Sequence, residues 1–317
     1  MNRFAPLRLS SLFATGLTLA LAACGGGEPA PDTAAGGAAA APPPADILVA
    51  DVGFSTPESV LYDAASDVYL VSNINGSPLE KDDNGFISRV APDGSVVALK
   101  WIDGSAPEVT LSAPKGMAVQ GGTLFVADID CLRMFDAVTG APKGETCPEG
   151  ATFLNDVAAG GDGSIYFTDS GFQAGPEGLI PSGTDAVYRY AASEGVVTPI
   201  AKEPALGGPN GVAVDRGGIT VVTFGSGEAY RIAADGARAT LLGASQRQLD
   251  GVEILADGSL LVSSWGDQCV YRIGADGTMT KVLEGVEAPA DLGYDAGRNR
   301  VLVPLFNANR VVIHPLG

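Results

Sequence analysis

The sequence predicts an all-β protein, a six-bladed β-propeller with four antiparallel strands in each blade. Three observations lead to this fold class: a segment that recurs six times, Asp-Gly turns between β-rich runs, and an unpaired apolar strand before the first repeat. Four short strands within about 40 residues are typical of one propeller blade. A helical repeat is excluded because no segment has helical periodicity.

The recurring segment starts with Pro or Leu, continues with two polar or small residues and then enters an apolar strand. Its copies follow one another at intervals of 57, 40, 55, 40 and 40 residues. The two long intervals contain polar insertions near residues 73–86 and 170–186. The copies begin, in chain order, at Pro57, Pro114, Leu154, Pro209, Leu249 and Pro289.

Asp-Gly pairs separate the last two strands of several repeats, at 93–94, 235–236 and 276–277. Both residues tolerate positive φ, so Asp-Gly between two β-rich runs predicts a hairpin. The last repeat is one strand short, and the strand at 47–50 precedes the first repeat without a partner of its own. Pairing these two segments would close the ring and remove exposed strand edges.

The start of the chain predicts export and lipid attachment. Residues 1–23 combine a basic start, an apolar stretch of about ten residues and small residues before Cys24, which is typical of a lipoprotein signal peptide. An ordinary secretory signal that leaves a free Cys24 thiol is the alternative. Residues 24–45 are rich in Gly, Ala and Pro and predict a disordered tether. We therefore expect one domain, 46–317, anchored by lipid at the periplasmic face of the outer membrane, since Gly25 follows the cysteine.

Charge limits the partners that the exported domain can have. Without its signal peptide the chain would carry 17 basic and 37 acidic residues. Such an excess of negative charge argues against nucleic acid and anionic lipid as partners. The lipid anchor is therefore the only membrane contact that we expect, and the domain is expected to be a monomer.

Three cysteines remain after Cys24, and their spacing matches no zinc motif. Cys131 opens the third strand of blade two and Cys147 closes the fourth. Folding this hairpin brings the two residues nearly opposite each other, which predicts a structural disulfide. Cys269 is expected to be a buried free thiol.

The second residue of each repeat lies at the start of the innermost strand, so these side chains should converge on the central channel. Carboxylate and amide oxygens from four blades would make a site suited to Ca²⁺ or a similar divalent ion. Two other interpretations stay open: the Asn-Gly and Asp-Gly pairs as simple turns, and an ion pair between the first two residues that plugs the channel. The converging residues are Glu58, Lys115, Asn155, Asn210, Asp250 and either Ala290 or its neighbour Asp291.

These motifs resemble the gluconolactonase/regucalcin-like (senescence-marker-protein) family of six-bladed propellers, and more distantly the paraoxonase and diisopropyl-fluorophosphatase propellers. The resemblance covers roughly residues 46–317 and implies a divalent ion in the channel. Glu58 in Pro-Glu-Ser-Val and Asn210 in Pro-Asn-Gly-Val match metal ligands of the family. Asn155 in Leu-Asn-Asp-Val matches an asparagine on the substrate side. Asp250 in Leu-Asp-Gly-Val matches an aspartate that is both a ligand and the suspected general base.

The chain departs from the family pattern at three places. Phe153 stands where sugar lactonases carry an arginine that holds substrate, and Lys115 adds an ammonium to the ring. The only histidine, His314, lies on the predicted closing strand, so a paraoxonase-like histidine pair is excluded. Asp128 and Asp169 end second strands near the same face and are candidates for a supporting role.

Two functions follow from these residues. The first is a divalent-metal-dependent hydrolase of a small lactone or ester, with the metal held by Glu58, Asn155, Asn210 and Asp250. Asp250 would also guide the water, Asn155 would orient the carbonyl, and Lys115 would stabilise the developing oxyanion. The second is a non-catalytic propeller that binds an envelope protein or ligand, and fold alone does not separate the two. Pairing of Lys115 with Glu58 would favour the second function.

Overall fold

The computed structural model describes residues 45–176 and 178–317, and it contains the six-bladed β-propeller that the sequence predicts. Six sheets of four antiparallel strands are arranged around a central channel. The predicted signal peptide, Cys24 and nearly all of the tether lie outside the described residues. Within the described part of the chain, the one helical turn is a 3-10 turn at Pro204–Leu206, and no helix is long and apolar enough to cross a membrane.

The strands of each blade run from the innermost to the outermost in chain order, except that the first strand of the chain belongs to the last blade. Blade one contains β2 (Pro57–Asp63), β3 (Val68–Asn73), β4 (Phe86–Val90) and β5 (Val96–Asp103). Blade two contains β6 (Pro114–Gln120), β7 (Thr123–Asp128), β8 (Cys131–Asp136) and β9 (Pro142–Thr146). Blade three contains β10 (Leu154–Ala159), β11 (Ile165–Asp169), β14 (Ala186–Ala191) and β15 (Val196–Lys202), and its inserted hairpin contains β12 (Phe172–Gly175) and β13 (Gly178–Pro181).

The second half of the ring follows the same order. Blade four contains β16 (Pro209–Asp215), β17 (Gly218–Thr223), β18 (Ala229–Ile232) and β19 (Arg238–Leu242). Blade five contains β20 (Leu249–Ile254), β21 (Leu260–Ser264), β22 (Cys269–Ile273) and β23 (Met279–Glu284). Blade six contains β24 (Gly293–Asp295), β25 (Arg300–Leu305), β26 (Arg310–Pro315) and, as its outermost strand, β1 (Ile47–Val49).

The closing strand of the ring pairs as predicted. β1 lies antiparallel to β26, with Ile47 opposite Ile313 and Val49 opposite Val311. The first and last parts of the domain therefore share one sheet, which leaves no unpaired strand between the last blade and the first.

The hydrophobic core lies between neighbouring blades, because the second strand of each blade is buried on both faces. Phe125 of blade two packs with Phe167 and Tyr188 of blade three, and Leu70 of blade one packs with Leu124 of blade two. Fully burying side chains of this size stabilises the fold by about 1.5–3 kcal/mol each. Packing between the blades therefore fixes the innermost strands, and with them the side chains that face the channel.

Candidate metal and active site

β-Bulges occur in five of the innermost strands, each at the position of the candidate residue. In β10 the pairing register shifts between Leu154 and Val157, and comparable shifts occur in β2, β6, β16 and β20. A bulge turns consecutive side chains in new directions. As a result Asn155 lines the cavity at one mouth of the channel, whereas Asp156 lines the cavity at the other.

The upper mouth is defined by Glu58, Lys115, Asn155, Asn210 and Asp250, which line one cavity of about 90 Å³. The structure therefore brings together the candidate residues of the first five blades. None of these five side chains is more than 5 % exposed. Polar groups buried this deeply need partners within the protein or from a ligand.

Four oxygens at the upper mouth have no hydrogen-bond partner among the described residues. Each unpaired buried oxygen costs about 1–3 kcal/mol, so their convergence from four blades points to a compensating ligand. A divalent cation would satisfy all four and would balance the charge of the two carboxylates, and Ca²⁺ prefers oxygen ligands of this kind. The residues present therefore fit such an ion. The four atoms are Glu58 Oε2, Asn155 Oδ1, Asn210 Oδ1 and Asp250 Oδ1.

Hydrogen bonds set the orientation of the Asn155 amide. Its Nδ2 donates to Ser170 Oγ at 3.0 Å, and the Ser170 hydroxyl donates to the Pro209 carbonyl at 2.5 Å. Because the nitrogen side of the amide is used by Ser170, the oxygen side is left for the cavity.

The pKa values of both carboxyl groups at the upper mouth are raised. Burial raises the pKa of Glu58 well above its usual range, and the negative charges of Asp250 and Asp291 raise it further. Burial and Asp291 likewise raise the pKa of Asp250, while the polar groups of Trp265 and Asn210 act in the opposite direction. A nearby positive charge would favour the ionised forms of both carboxyls.

The Lys115 ammonium does not pair with Glu58 in the described part of the chain. Its Nζ donates to the carbonyl oxygens of Ala113 at 3.2 Å and Pro78 at 3.5 Å, and it lies 4.5 Å from the centre of the Phe153 ring. Burial lowers the pKa of Lys115, and the charge of Glu58 opposes this effect. The channel is therefore not plugged by the ion pair that the sequence left open.

The Asn-Gly and Asp-Gly pairs of the site lie inside strands and are not turns. Gly211 and Gly251 belong to β16 and β20, and neither has positive φ. A Cβ on Gly211 would overlap the Asp250 carbonyl oxygen, and one on Gly251 would overlap the Leu292 amide nitrogen. Glycine is needed at these positions because neighbouring innermost strands approach too closely for a side chain.

Asp128 and Asp169 support the site without facing it. Asp128 Oδ1 accepts a hydrogen bond from the Ala113 amide at 2.7 Å, and Asp169 Oδ1 accepts one from the Phe153 amide at 3.0 Å. Each contact fixes the backbone two residues before a candidate residue. These carboxylates therefore hold the entrances to β6 and β10 in place.

Aromatic side chains surround the upper cavity. Phe224, Trp265 and Phe306 each follow directly after the second strand of their blade, with ring centres 5.3 and 5.2 Å apart along the series. Phe153 and Phe172 contact each other edge to face at 5.7 Å. From the sequence alone, Trp101 and Trp265 are assigned to the core or the channel wall, and Phe172, Phe224 and Phe306 are missed. Comparing the residue that follows each second strand would have found Phe224 and Phe306.

The lower mouth is defined by Ser59, Asp156, Glu253 and Asp291, in a cavity of about 470 Å³. Asp291 accepts a hydrogen bond from Ser59 Oγ at 2.5 Å and lies within hydrogen-bonding reach of Asp156. Burial raises the pKa of Asp291 to about 7. The sixth blade therefore places its carboxyl group here and contributes none to the upper mouth, where Ala290 is its counterpart in the repeat. Sequence reasoning did not anticipate this second cluster.

The remaining candidate residues lie outside the channel site. His314 Nδ1 is 2.7 Å from Asp46 Oδ1, beside the closing strand. The structure contains a disulfide between Cys131 and Cys147, with Cα atoms 4.1 Å apart, and Cys269 is a buried free cysteine. Glu145 lies near both disulfide sulfurs, but sulfurs joined to each other are not thiolate ligands for a metal.

The fold and the site together define a six-bladed propeller with an oxygen-rich, buried site in its channel. The chain belongs to the SMP-30/Gluconolactonase/LRE-like family, whose model matches residues 56–292. A search of curated protein sequences gave no match.

Solved structures with the same fold include a gluconolactonase from Xanthomonas campestris, with a TM-score of 0.67 at 19 % identity over 86 % of this chain and 89 % of that one. A calcium-binding protein, regucalcin from Agrobacterium tumefaciens, has a TM-score of 0.59 at 16 % identity over 85 % of this chain and 92 % of that one. Virginiamycin B lyase from Staphylococcus aureus has a TM-score of 0.61 at 12 % identity over 86 % of this chain and all of that one. At such identities these similarities establish the fold alone.

Proposed function

We propose that this protein is a divalent-metal-dependent hydrolase of lactones or related esters, with Ca²⁺ as its metal. The observation that carries this proposal is the convergence of four unpartnered oxygens, from Glu58, Asn155, Asn210 and Asp250, in one buried cavity. Membership of a family that includes gluconolactonases supports lactone hydrolysis. A calcium-binding protein among the structural neighbours supports the choice of metal.

In this proposal a bound Ca²⁺ supplies positive charge that polarises the carbonyl oxygen of the substrate and makes water more acidic. Asp250 lies at the base of the cavity and accepts the proton of the attacking water. The oxygen of this water then bonds to the acyl carbon of the substrate. The C–O bond of the lactone ring or ester breaks, and the leaving alkoxide takes up a proton. The reaction consumes one water and needs no oxidant or reductant.

Two other side chains act on the acyl group. Asn155 is held by Ser170 and orients the carbonyl. Lys115 is fully buried at the same cavity, and its ammonium stabilises negative charge that develops on oxygen. Burial lowers the pKa of Lys115, so the same group can return a proton to the leaving oxygen.

Elimination chemistry of the kind that a lyase performs receives less support. One neighbouring structure is a catalytically inactive histidine variant of virginiamycin B lyase. The only histidine of this chain, His314, contacts Asp46 and is not among the residues that line the upper cavity. The side chains at the site therefore support hydrolysis better than they support elimination.

The test is hydrolysis of a panel of lactones and aryl esters by the calcium-loaded chain, with Asp250→Asn as the decisive variant. The substitution removes the base and one anionic ligand, so kcat/KM should fall by about 10³-fold or more. Asp235→Asn is the matched control, because Asp235 is a turn residue whose contact with the Ala237 amide an asparagine can keep. Equal loss in both variants, or none in either, would contradict the assigned role.

We also propose that the enzyme acts at the periplasmic face of the outer membrane, held by a lipid on Cys24. This part of the proposal rests on the pattern of residues 1–45 in the sequence. Labelling cells with a fatty-acid probe should mark the wild-type protein and leave Cys24→Ala unlabelled and soluble. A wild-type chain that carries no lipid would contradict it.

A further inference from the structure

We propose that the substrate is a lactone or ester whose non-reacting part is apolar, an alkyl or aryl group that lies against the aromatic wall of the upper mouth. The inference rests on the proposed function, since it names the substrate class for that same site. It is carried by the chemistry of the side chains above the four oxygens.

One repeat position supplies half of the residues in this wall. The residue directly after the second strand is Ile74 in blade one, Phe224 in blade four, Trp265 in blade five and Phe306 in blade six, and all four line the cavity. The three aromatic rings form a continuous edge, because Trp265 contacts both of its neighbours. Equivalent positions in different blades thus supply the apolar residues at the entrance, just as equivalent positions supply the oxygens at the base.

The inserted hairpin of blade three extends the wall outward. Phe172 at the start of β12 and Leu179 in β13 both line the cavity, and Phe172 packs against Phe153. Leu179 is 46 % exposed and the neighbouring Ile180 is 40 % exposed. Large apolar side chains exposed beside a cavity provide a surface that a ligand can cover.

The wall offers almost nothing to a hydroxyl-rich substrate. Apart from the five residues at the base, Trp265 is the only residue with a polar side chain that lines the cavity within the described part of the chain. A sugar lactone would have to place its ring hydroxyls against Phe172, Phe224 and Phe306 without hydrogen bonds. Each unpaired hydroxyl should weaken binding by about tenfold or more.

The volume of the cavity limits how much of the substrate it can enclose. About 90 Å³ is the volume of about three water molecules, enough for a lactone ring or an ester group. The wall residues line this same cavity, so a longer alkyl tail would lie against them and continue outward over the exposed Leu179. Each buried methylene should then raise kcat/KM by about fourfold, until the tail extends past the wall.

The first experiment measures kcat/KM of the calcium-loaded full chain for γ-butyrolactone, γ-hexalactone, γ-octalactone and γ-decalactone, with glucono-δ-lactone as the polar comparison. A steady rise along the alkyl series, and a lower value for glucono-δ-lactone than for γ-octalactone, is the expected result. A flat series, or glucono-δ-lactone as the best substrate, would overturn the inference.

Variants show whether the wall causes this preference. Phe306→Ala and Leu179→Ser should each reduce the ratio of kcat/KM for γ-octalactone over γ-butyrolactone by about fivefold to tenfold. Val138→Ser is the matched control, because Val138 is 72 % exposed and belongs to a turn that does not line the cavity. Leu179 lies on the surface, so its variant tests the wall even if Phe306→Ala fails to fold. If folded Leu179→Ser and Phe306→Ala both keep the wild-type ratio of kcat/KM for the two lactones, the wall is not the source of the alkyl preference.

A binding measurement separates failure of this inference from failure of the proposed function. The chain has two tryptophans, so Trp101→Phe leaves Trp265 as the single reporter at the mouth. Titration with γ-lactams that carry the same alkyl tails, which resist hydrolysis, should change Trp265 fluorescence with affinity that increases with tail length. If no lactone is hydrolysed but this response occurs, the hydrolase proposal fails and the apolar site stands. If the lactams give no response, the apolar site is wrong whether or not lactones are hydrolysed.

Discussion

The two mouths of the channel are built from the same strands and differ in how their buried oxygens are satisfied. At the upper mouth, Glu58, Asn155 and Asp250 each leave an oxygen without a partner among the described residues. At the lower mouth, both oxygens of Asp156 accept amide hydrogen bonds, from Val157 and Val212 at 2.6 Å each. Adjacent residues of one bulged strand therefore face two different chemical environments.

The difference lies in the donors that each mouth supplies. At the lower mouth Asp291 accepts a hydrogen bond from the Ser59 hydroxyl, and Asp156 accepts two from backbone amides, so protein groups satisfy the cluster. The four unpartnered oxygens of the upper mouth belong to residues that line one cavity with an apolar wall, and none of the four atoms accepts a hydrogen bond within the described ranges. Buried acidic residues alone therefore do not identify a metal site. Unpartnered oxygens that converge on one cavity are the stronger indication.

The largest expected effect is a loss of stability when the close contact between two innermost strands is disturbed. Gly251→Ala would place a Cβ against the Leu292 amide and Asp291, which forces the innermost strands of blades five and six apart. We expect a loss of about 3 kcal/mol in the free energy of unfolding. Denaturant titration of the purified variant measures this loss.

Gly243→Ala is the control for that substitution. A Cβ added at Gly243 would meet no described atom within 4 Å, and this glycine does not need positive φ. Its replacement should change the free energy of unfolding by less than about 1 kcal/mol. If the free energy of unfolding falls by similar amounts in the two variants, close contact between innermost strands is not the reason that glycine is needed at position 251.

The second prediction tests which mouth binds calcium, by measuring the rise in Tm that calcium causes in variants of each mouth. An ion that binds only the folded state stabilises it by about 2.7 kcal/mol at a hundred times its dissociation constant, which for a domain of this size raises Tm by about 5–10 °C. The wild-type chain and Ser59→Ala should both show this rise. Glu58→Gln should show little of it, because one anionic ligand is lost. A full rise in Glu58→Gln would contradict the assignment of the ion to the upper mouth.

The third prediction concerns pH and the lower mouth. Burial and the charge of Asp291 raise the pKa of Glu253 from 4.5 to about 8. The folded protein therefore keeps a proton that the unfolded chain releases, and the stability gained in this way is complete below the unfolded pKa and is lost as pH rises through about 8.

Glu253→Gln cannot ionise, so its free energy of unfolding should fall less between about pH 5 and pH 9 than that of the wild type, by about 2 kcal/mol. Asp156 and Asp291 face the same cavity and titrate in both proteins, so the comparison between variants removes most of their contribution. Parallel pH profiles for the two proteins would contradict a raised pKa at Glu253.

Much of the fold could be read from the sequence because the repeat is local. The second residue of each copy and the Asp-Gly turns depend on patterns that a single blade reveals, and the closing strand follows from the strand that the last repeat lacks. The structure adds what depends on neighbouring blades. Asp156 and Asp291 meet across the channel from blades three and six, and no spacing within one repeat indicates that contact.

The upper site was predictable in its composition and not in its details. Its five residues occupy one repeat position, but the orientation of Lys115 toward the Ala113 carbonyl and Phe153 depends on the loops before the innermost strands. The wall residues Phe224 and Phe306 also share a repeat position. They were overlooked because aromatic side chains next to strands are usually core.

The most direct test of the central claim is calorimetric titration of calcium into the wild-type chain, Asp250→Ala and Asp291→Asn. We expect one site in the wild type and its loss in Asp250→Ala. Binding in Asp291→Asn should be weaker by no more than about tenfold, because only a neighbouring charge is removed. Binding that survives in Asp250→Ala and disappears in Asp291→Asn would instead place the ion at the lower mouth.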